Sequence, residues 1–309
     1  MAAQALAANG AKVYITSRRP EAIENAANSH DPSGGQIIAL QTTDVTSKDS
    51  LQELVKEVEK REKHINLLVC NAGIPGPKAP PEQTDAQELK DNLWKNESVE
   101  EWQDTYKTDV TSVYFTTVAF LPLLQAAIKP KGPMESLEPS VIVISSMSGI
   151  MRESQGHFAY NTAKGGTVHL TKLMSAEFQK TGVRVNSIAP GYFPSEMTVK
   201  ESDENQKSEL PDEKVQEKGH VPKQRGGKEE EMGMGVVSVI EKLLCGSVLI
   251  SPSSSWPRTT TSTARSSQST VVFSTSSLEG KTQPRRSLHI QSSRFLVSLN
   301  RTDGRKEEL

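Results

Sequence analysis

Residues 141–166, VIVISSMSGIMRESQGHFAYNTAKGG, are the stretch from which the fold can be read. The first four, Val141 to Ile144, are all β-branched, the composition of a strand buried on both faces of a parallel sheet. Serines follow at its C-terminal end. After a short polar bridge, Tyr160 and Lys164 stand four apart in a segment that continues through Leu170, Leu173, Met174 and Phe178, so one helical face carries both. A phenol, an ammonium and a strand-end hydroxyl therefore converge. The set suits reversible proton transfer to a carbonyl: the ammonium lowers the cost of ionising the phenol, and the serine hydroxyl hydrogen-bonds the substrate oxygen.

The order Ser, about a dozen residues, then Tyr-x-x-x-Lys resembles the short-chain dehydrogenase/reductase family. The resemblance implies an α/β fold, a Rossmann-like doubly wound parallel sheet, and a hydride passed between a nicotinamide and a small-molecule carbonyl or secondary alcohol. Among Ser145, Ser146 and Ser148 it selects Ser146, fourteen before Tyr160, to orient the substrate oxygen. Tyr160 then gives or takes the proton, and Lys164 also binds the nicotinamide ribose. Family members carry an asparagine where this chain has Asp109, and that asparagine helps hold a water in the proton relay. An ionised aspartate accepts but does not donate, and could bind Lys164 instead.

Working outward, Ala11 to Ser17 (AKVYITS) reads as a strand, preceded by an alanine-rich helix that ends at Gly10 and followed by Pro20 at a helix start. In the resembling family the loop after this strand meets the adenosine ribose. Ser17, Arg18 and Arg19 there suit a 2′-phosphate, hence NADP (NADPH) rather than NAD; the alternative is a solvated arginine pair. Gln36 to Gln41 is strand-like, and Asp44-Val45 stands where the family contacts the adenine. Thr46 or Ser47 caps a helix with Leu51, Leu54, Val55 and Val58 at i, i+3, i+4, i+7. Ile65 to Cys70 is a buried strand ending in Asn71-Ala72-Gly73, similar to the family's NAG signature, where a small backbone lets the cofactor ribose approach. Residues 76–98 read as a long loop or short irregular helix, and a long helix follows from Val99. Val183 to Ile188 is another strand. It leads to Pro190-Gly191, the family's loop over the nicotinamide, and to Ser195, where a hydroxyl usually meets the carboxamide. Tyr192 to about Val221 would form the substrate lid.

The chain has 309 residues and a formal charge of −2, which gives no reason to expect nucleic acid. The charge is uneven: from Ser251 onward there are 9 Lys/Arg and 4 Asp/Glu. Two cysteines, Cys70 and Cys245, make no disulfide framework and fit a reducing, cytoplasmic setting. No 18-residue apolar run marks a membrane span, and no cluster of metal ligands is read. The resemblance implies a homo-oligomer formed partly through the Tyr-bearing helix.

Two departures from the family bound the reading. Members begin with a strand and a turn of the form TGxxxGIG that holds the pyrophosphate; here Met1 lies beyond that turn. Without that first strand the two strands flanking its place, Ala11 to Ser17 and Ile65 to Cys70, would carry unpaired backbone groups. After Gly235 a helix end and a last strand ending in DGG are expected, and a Ser/Thr-rich tail stands there instead, with 15 serines from Ser251 onward. Codons exist for Thr260 to Ser274 that, read one nucleotide earlier, spell NYVNGEIIAVDGGVL, a family-like final strand. Val237-Ser238 can be encoded GTAAGT, suited to an intron's 5′ boundary. The expectation is a truncated domain over 1–236, with first and last strands missing, and a disordered, non-family tail over 237–309, translated intron to about Pro252 and out of frame beyond. A natural low-complexity tail is the alternative. The functional alternative is a catalytically inactive, poorly folded remnant or interaction module that binds no cofactor.

Overall fold

The computed structural model describes residues 1–28, 34–128, 138–199, 208–218, 224–244 and 270–275. In chain order the elements are α1 (Ala2–Ala8), β1 (Lys12–Ser17), α2 (Pro20–Asn28), β2 (Gln36–Ala39), α3 (Lys48–Arg61), β3 (Leu67–Cys70), α4 (Ala86–Asn96), α5 (Val99–Tyr106), α6 (Ser112–Gln125), β4 (Ser140–Ile144), α7 (Phe158–Phe178), β5 (Arg184–Ile188), α8 (Glu196–Val199), α9 (Asp212–Lys218), α10 (Glu229–Leu244) and β6 (Thr270–Thr275). The strands form one parallel sheet in the order β2-β1-β6-β3-β4-β5.

Alternation along each strand sorts side chains onto two faces. Tyr14, Leu68, Cys70, Val141 and Val143 join Leu54 and Val58 of α3, Phe120, Leu123 and Leu124 of α6 and Met174 of α7 in one core. Their neighbours Val13, Ile15, Leu67, Val69 and Ile142 join Leu6 of α1, Ile23 of α2, and Val236 and Val239 of α10 in the other. A sheet covered by helices on both faces explains why its strands read as continuous apolar runs rather than alternating ones.

The expected boundaries hold closely. α1 ends as read, with Gly10 in the left-handed region at φ 86° just beyond its last turn. Ser47, rather than Thr46, caps α3, its Oγ accepting the Ser50 N–H. Within the stretch read as a loop or short irregular helix, α4 is a regular helix of eleven residues capped by Asp85, which accepts from Gln87 and Glu88 N–H. Its side chains are not buried, so no apolar period announced it.

Two findings concern the far end of the chain. The place between β1 and β3, for which no N-terminal strand was found, is filled: β6 pairs Lys12 through Ser17 with Thr270 through Thr275, and Leu67 through Cys70 with Val271 through Ser274. The rows of backbone groups expected to stand unpaired are thus paired, because a parallel strand there satisfies both neighbours at once. The boundary at 236 falls inside α10, whose buried Val236 and Val239 stand three apart on its inner face. α10 lies against α1, where Gly233 faces Ala5 so closely that an added Cβ would stand 2.6 Å from the alanine Cβ. Cys245, the expected lid end near Val221, and the tail apart from 237–244 and 270–275 lie outside the described residues.

β6 is paired on both edges, so every N–H of its interior has a partner, and proline is excluded from such a strand. Val272→Pro is expected to cost at least ~2 kcal/mol, from a buried carbonyl left without its donor, and to lower the urea midpoint with the far-ultraviolet signal as readout.

Candidate active site

In a parallel sheet wound in both directions, ligands sit outside the C-terminal strand ends where the chain's direction of travel reverses. Here the chain moves from β1 outward to β2, then from β3 outward to β4 and β5, so the reversal lies over β6. The residues singled out from sequence line that edge: Ser17 ends β1, Asn71, Ala72 and Gly73 follow β3, Ser146 follows β4, and Pro190 and Gly191 follow β5.

The serines after β4 divide their work. Ser145 is built into the scaffold, its hydroxyl donating to Ile188 O at 3.0 Å and accepting from Ser187 Oγ at 2.7 Å. Ser146 begins a short 3₁₀ turn, Met147–Gly149, and its Oγ accepts only the Ser148 N–H at 3.1 Å among the described residues, which leaves its own proton for another acceptor. That turn rests directly on α7. A Cβ on Gly149 would lie 2.4 Å from the Lys164 carbonyl carbon, so only glycine permits the approach that brings the β4 end to the helix.

On α7, Tyr160 and Lys164 share a face, with the Lys164 Nζ 5.6 Å from the Tyr160 ring centroid. The Tyr160 hydroxyl has no hydrogen-bond partner among the described residues. Lys164 is 4% exposed; its Nζ lies 3.3 Å from Asp109 Oδ2 and 3.5 Å from Ile144 O. Asp109, fully buried, sits in a π-helical turn, Lys107–Thr111, between α5 and α6. Such single π turns break a helix's regular spacing and re-aim one side chain. Asp109 Oδ1 accepts the Ile74 N–H at 2.7 Å, and its backbone carbonyl accepts Thr167 Oγ1 at 2.8 Å. Burial pushes the Asp109 carboxyl above its ordinary range, and the Lys164 ammonium and the Ile74 N–H pull against that shift. Gly73 completes the packing: a Cβ there would stand 3.0 Å from Lys164 Nζ and 3.3 Å from Asp109 Oδ1. The third residue of Asn71-Ala72-Gly73 is small because this ion pair lies against it.

At the other end of the edge, the buried Ser17 hydroxyl donates to Arg19 O and accepts the Arg19 N–H, closing the loop that presents exposed Arg18. Arg19 pairs with Glu196 of α8 at 2.7 Å, a bridge across the mouth of the edge that nothing in the local sequence announced. Asp44 Oδ1 accepts both the N–H and the hydroxyl of Thr46. Partial burial raises the Asp44 carboxyl, and the Thr46 bonds with the Arg18 and Lys107 charges more than cancel this, leaving it below the ordinary range. Val45 is buried against Leu51, Ala72 and Phe115. Pro190 O accepts the Met147 N–H, tying the β5 loop to the Ser146 turn. Ser195 is not free as a hydroxyl: it caps the short α8 by accepting the Thr198 N–H and pairing with Thr198 Oγ1 at 2.9 Å.

Two further contacts were not read from sequence. Tyr192 donates its hydroxyl to Gln155 Oε1 at 3.0 Å, and Gln155 adopts the left-handed region at φ 51°, rare for a residue with a side chain. Asn161, beside Tyr160, donates to Glu153 O and Ser154 O and so fixes the same bridge. The only local signal was Gly156 after Gln155. Among the described residues there is no group of three or more His, Cys, Asp or Glu placed to hold a metal, and no helix long and apolar enough to cross a membrane.

The family described as short chain dehydrogenase matches residues 1–206. A relative from Stachybotrys chartarum, short-chain dehydrogenase/reductase SAT3, is 36% identical over 244 residues, covering 74% of this chain and 87% of its own length. The 3-oxoacyl-[acyl-carrier-protein] reductase FabG of Vibrio cholerae is 29% identical over 208 residues, covering 67% of this chain and 74% of its own. Among solved structures, the Pseudomonas aeruginosa RhlG/NADP active-site complex superposes with a TM-score of 0.59 at 26% identity, covering 77% of this chain and 82% of that one.

The two adjacent serines separate by experiment. Ser145→Ala removes a buried hydroxyl bonded to Ile188 O and Ser187 Oγ and is expected to lower stability by roughly 1–2 kcal/mol. Ser146→Ala is expected to leave stability within about 0.5 kcal/mol of the parent, as read by calorimetry.

Proposed function

The chain belongs to the short-chain dehydrogenase/reductase family, and so to the oxidoreductases, and from that premise we propose that it is an NADP-dependent reductase of a small carbonyl compound. The observation that carries the reading is the close approach of the Ser146 turn to α7 at Gly149, which sets a donor hydroxyl beside the helix face bearing Tyr160 and Lys164. A nicotinamide held there would supply the hydride for reduction and take it in the reverse direction. Tyr160 donates its hydroxyl proton to the substrate oxygen, and the Lys164 ammonium stabilises the phenolate left behind. Ser146 donates to the same oxygen and holds it in line. Asp109 acts on Lys164.

The residues fit such a cofactor at its two ends. Arg18, exposed beside the Ser17–Arg19 turn, suits a 2′-phosphate, which favours NADP over NAD. Asp44 and Val45 would meet the adenine, Asn71, Ala72 and Gly73 the ribose, and Pro190, Gly191 and Ser195 the nicotinamide. The Vibrio cholerae relative, a 3-oxoacyl-[acyl-carrier-protein] reductase by name, supports a β-oxo thioester or related ketone as substrate.

One observation favours the second reading, an inactive remnant. The strand at the centre of the sheet comes from 270–275, and the sequence that follows it, SSLEGK, has a single glycine in place of TGxxxGIG. The glycine-rich sequence that would cradle a pyrophosphate therefore does not follow this strand.

The two readings part on one preparation. Under the enzyme reading, NADPH fluorescence changes at micromolar protein, the thermal midpoint rises with NADPH, and Tyr160→Phe lowers kcat by about 10²–10⁴ without abolishing binding. A folded protein with a sharp melt that no nicotinamide cofactor moves would overturn the enzyme reading, and an insoluble product or one without a cooperative melt would support the remnant.

A further inference from the structure

The carboxylate of Asp109 is divided between two partners. Oδ1 takes the Ile74 N–H at 2.7 Å, while Oδ2 has no hydrogen bond among the described residues and faces the Lys164 ammonium at 3.3 Å. The residue is held where it is. Its carbonyl accepts Thr167 Oγ1 from α7, its backbone lies in the π-helical turn, and Gly73 packs against both members of the pair. Asp109 has no exposed surface.

The groups around it leave one counter-charge. From α7 the charged group facing Asp109 is Lys164, with the Tyr160 ring beyond it. From the loop after β3 come only the backbones of Gly73 and Ile74 among the described residues. From its own turn comes exposed Lys107, whose charge acts on Asp44.

The reductase reading, on which this inference rests, asks the same ammonium to bind the cofactor ribose. Once Lys164 turns to the ribose hydroxyls, a buried carboxylate is left without its counter-charge. Such a group is costly, and the inexpensive response is to take a proton from water, converting the carboxylate to a carboxylic acid. We infer that Asp109 is a positioning residue that holds Lys164 in the free protein and takes up a proton when Lys164 turns to the cofactor, so that cofactor binding is coupled to proton uptake. An asparagine at this position, as in the resembling family, has no such proton to take.

The sign follows from linkage. The complex binds more protons than the free protein, so affinity is greatest at low pH and weakens as pH rises, by up to about tenfold per pH unit.

The test is titration calorimetry of the full chain with NADPH and with NADH, in buffers of equal pH and different ionisation enthalpy, so that the dependence of the heat on buffer counts the protons exchanged. NADH lacks the 2′-phosphate, which titrates near neutrality itself. The expected result is an uptake approaching one proton with both cofactors, absent in the isosteric Asp109→Asn, which also binds several-fold more tightly above pH 8. The same count in wild type and Asp109→Asn, or no exchange in wild type with NADH, overturns the inference while leaving the reductase reading standing. If Asp109→Asn does not melt cooperatively, the wild-type NADH count decides alone. Absence of cofactor binding by folded wild type overturns both.

Discussion

Parallel pairing at the middle of the sheet is the constraint on which the rest of the structure depends. β1 and β3 each present a full row of N–H and C=O groups toward a place one strand wide, about 4.8 Å from each. Those groups are buried beneath helices on both faces, where an unpaired donor or acceptor costs as much as several ordinary contacts contribute. Thr270–Thr275 satisfies both rows in register from Lys12 to Ser17 on one side and from Leu67 to Cys70 on the other. The remaining strands then extend outward in both directions, and the helices are placed by which face of each strand they cover.

The candidate site is a by-product of that arrangement sharpened by three glycines. Parallel strands deliver their C-terminal residues to one edge, so Ser17, Asn71, Ser146 and Pro190 meet there without contact being required along the chain. Gly149 lets the Ser146 turn touch the α7 backbone, and Gly73 leaves room for Lys164 and Asp109 to meet. Gly156, at φ 77°, turns the chain into α7 beside the Gln155–Tyr192 contact. An added Cβ would meet the Lys164 carbonyl at Gly149, Lys164 Nζ and Asp109 Oδ1 at Gly73, and the Pro80 backbone at Gly156.

Which parts of this were legible depended on whether the signal was local. The β4–α7 stretch could be read because a β-branched run and an i, i+4 pair are both short-range patterns, and the Gly10 and Ser47 helix ends for the same reason. The helix α4 was not, because it buries nothing and so carries no apolar period. β6 was not, because Thr-Val-Val-Phe-Ser-Thr sits in a Ser/Thr-rich surround and its pairing partners lie at the opposite end of the chain. The Lys164–Asp109 contact was open as one of two possibilities, since a carboxylate was visible where the resemblance expects an amide. Arg19 was read as a ligand for phosphate; its bond to Glu196 joins two loops no spacing rule connects.

The position of β6 also bears on how the chain reaches this state. Lys12 lies against Thr270, so the innermost ladder closes between the two most distant strands in the chain. Contacts of such long sequence separation carry a large loop-closure cost and slow folding. On a ribosome, β1 and β3 emerge long before their shared neighbour does, and each meanwhile offers an open strand edge. The sheet therefore completes only once β6 has emerged, and until then the open edges of β1 and β3 can pair with another chain.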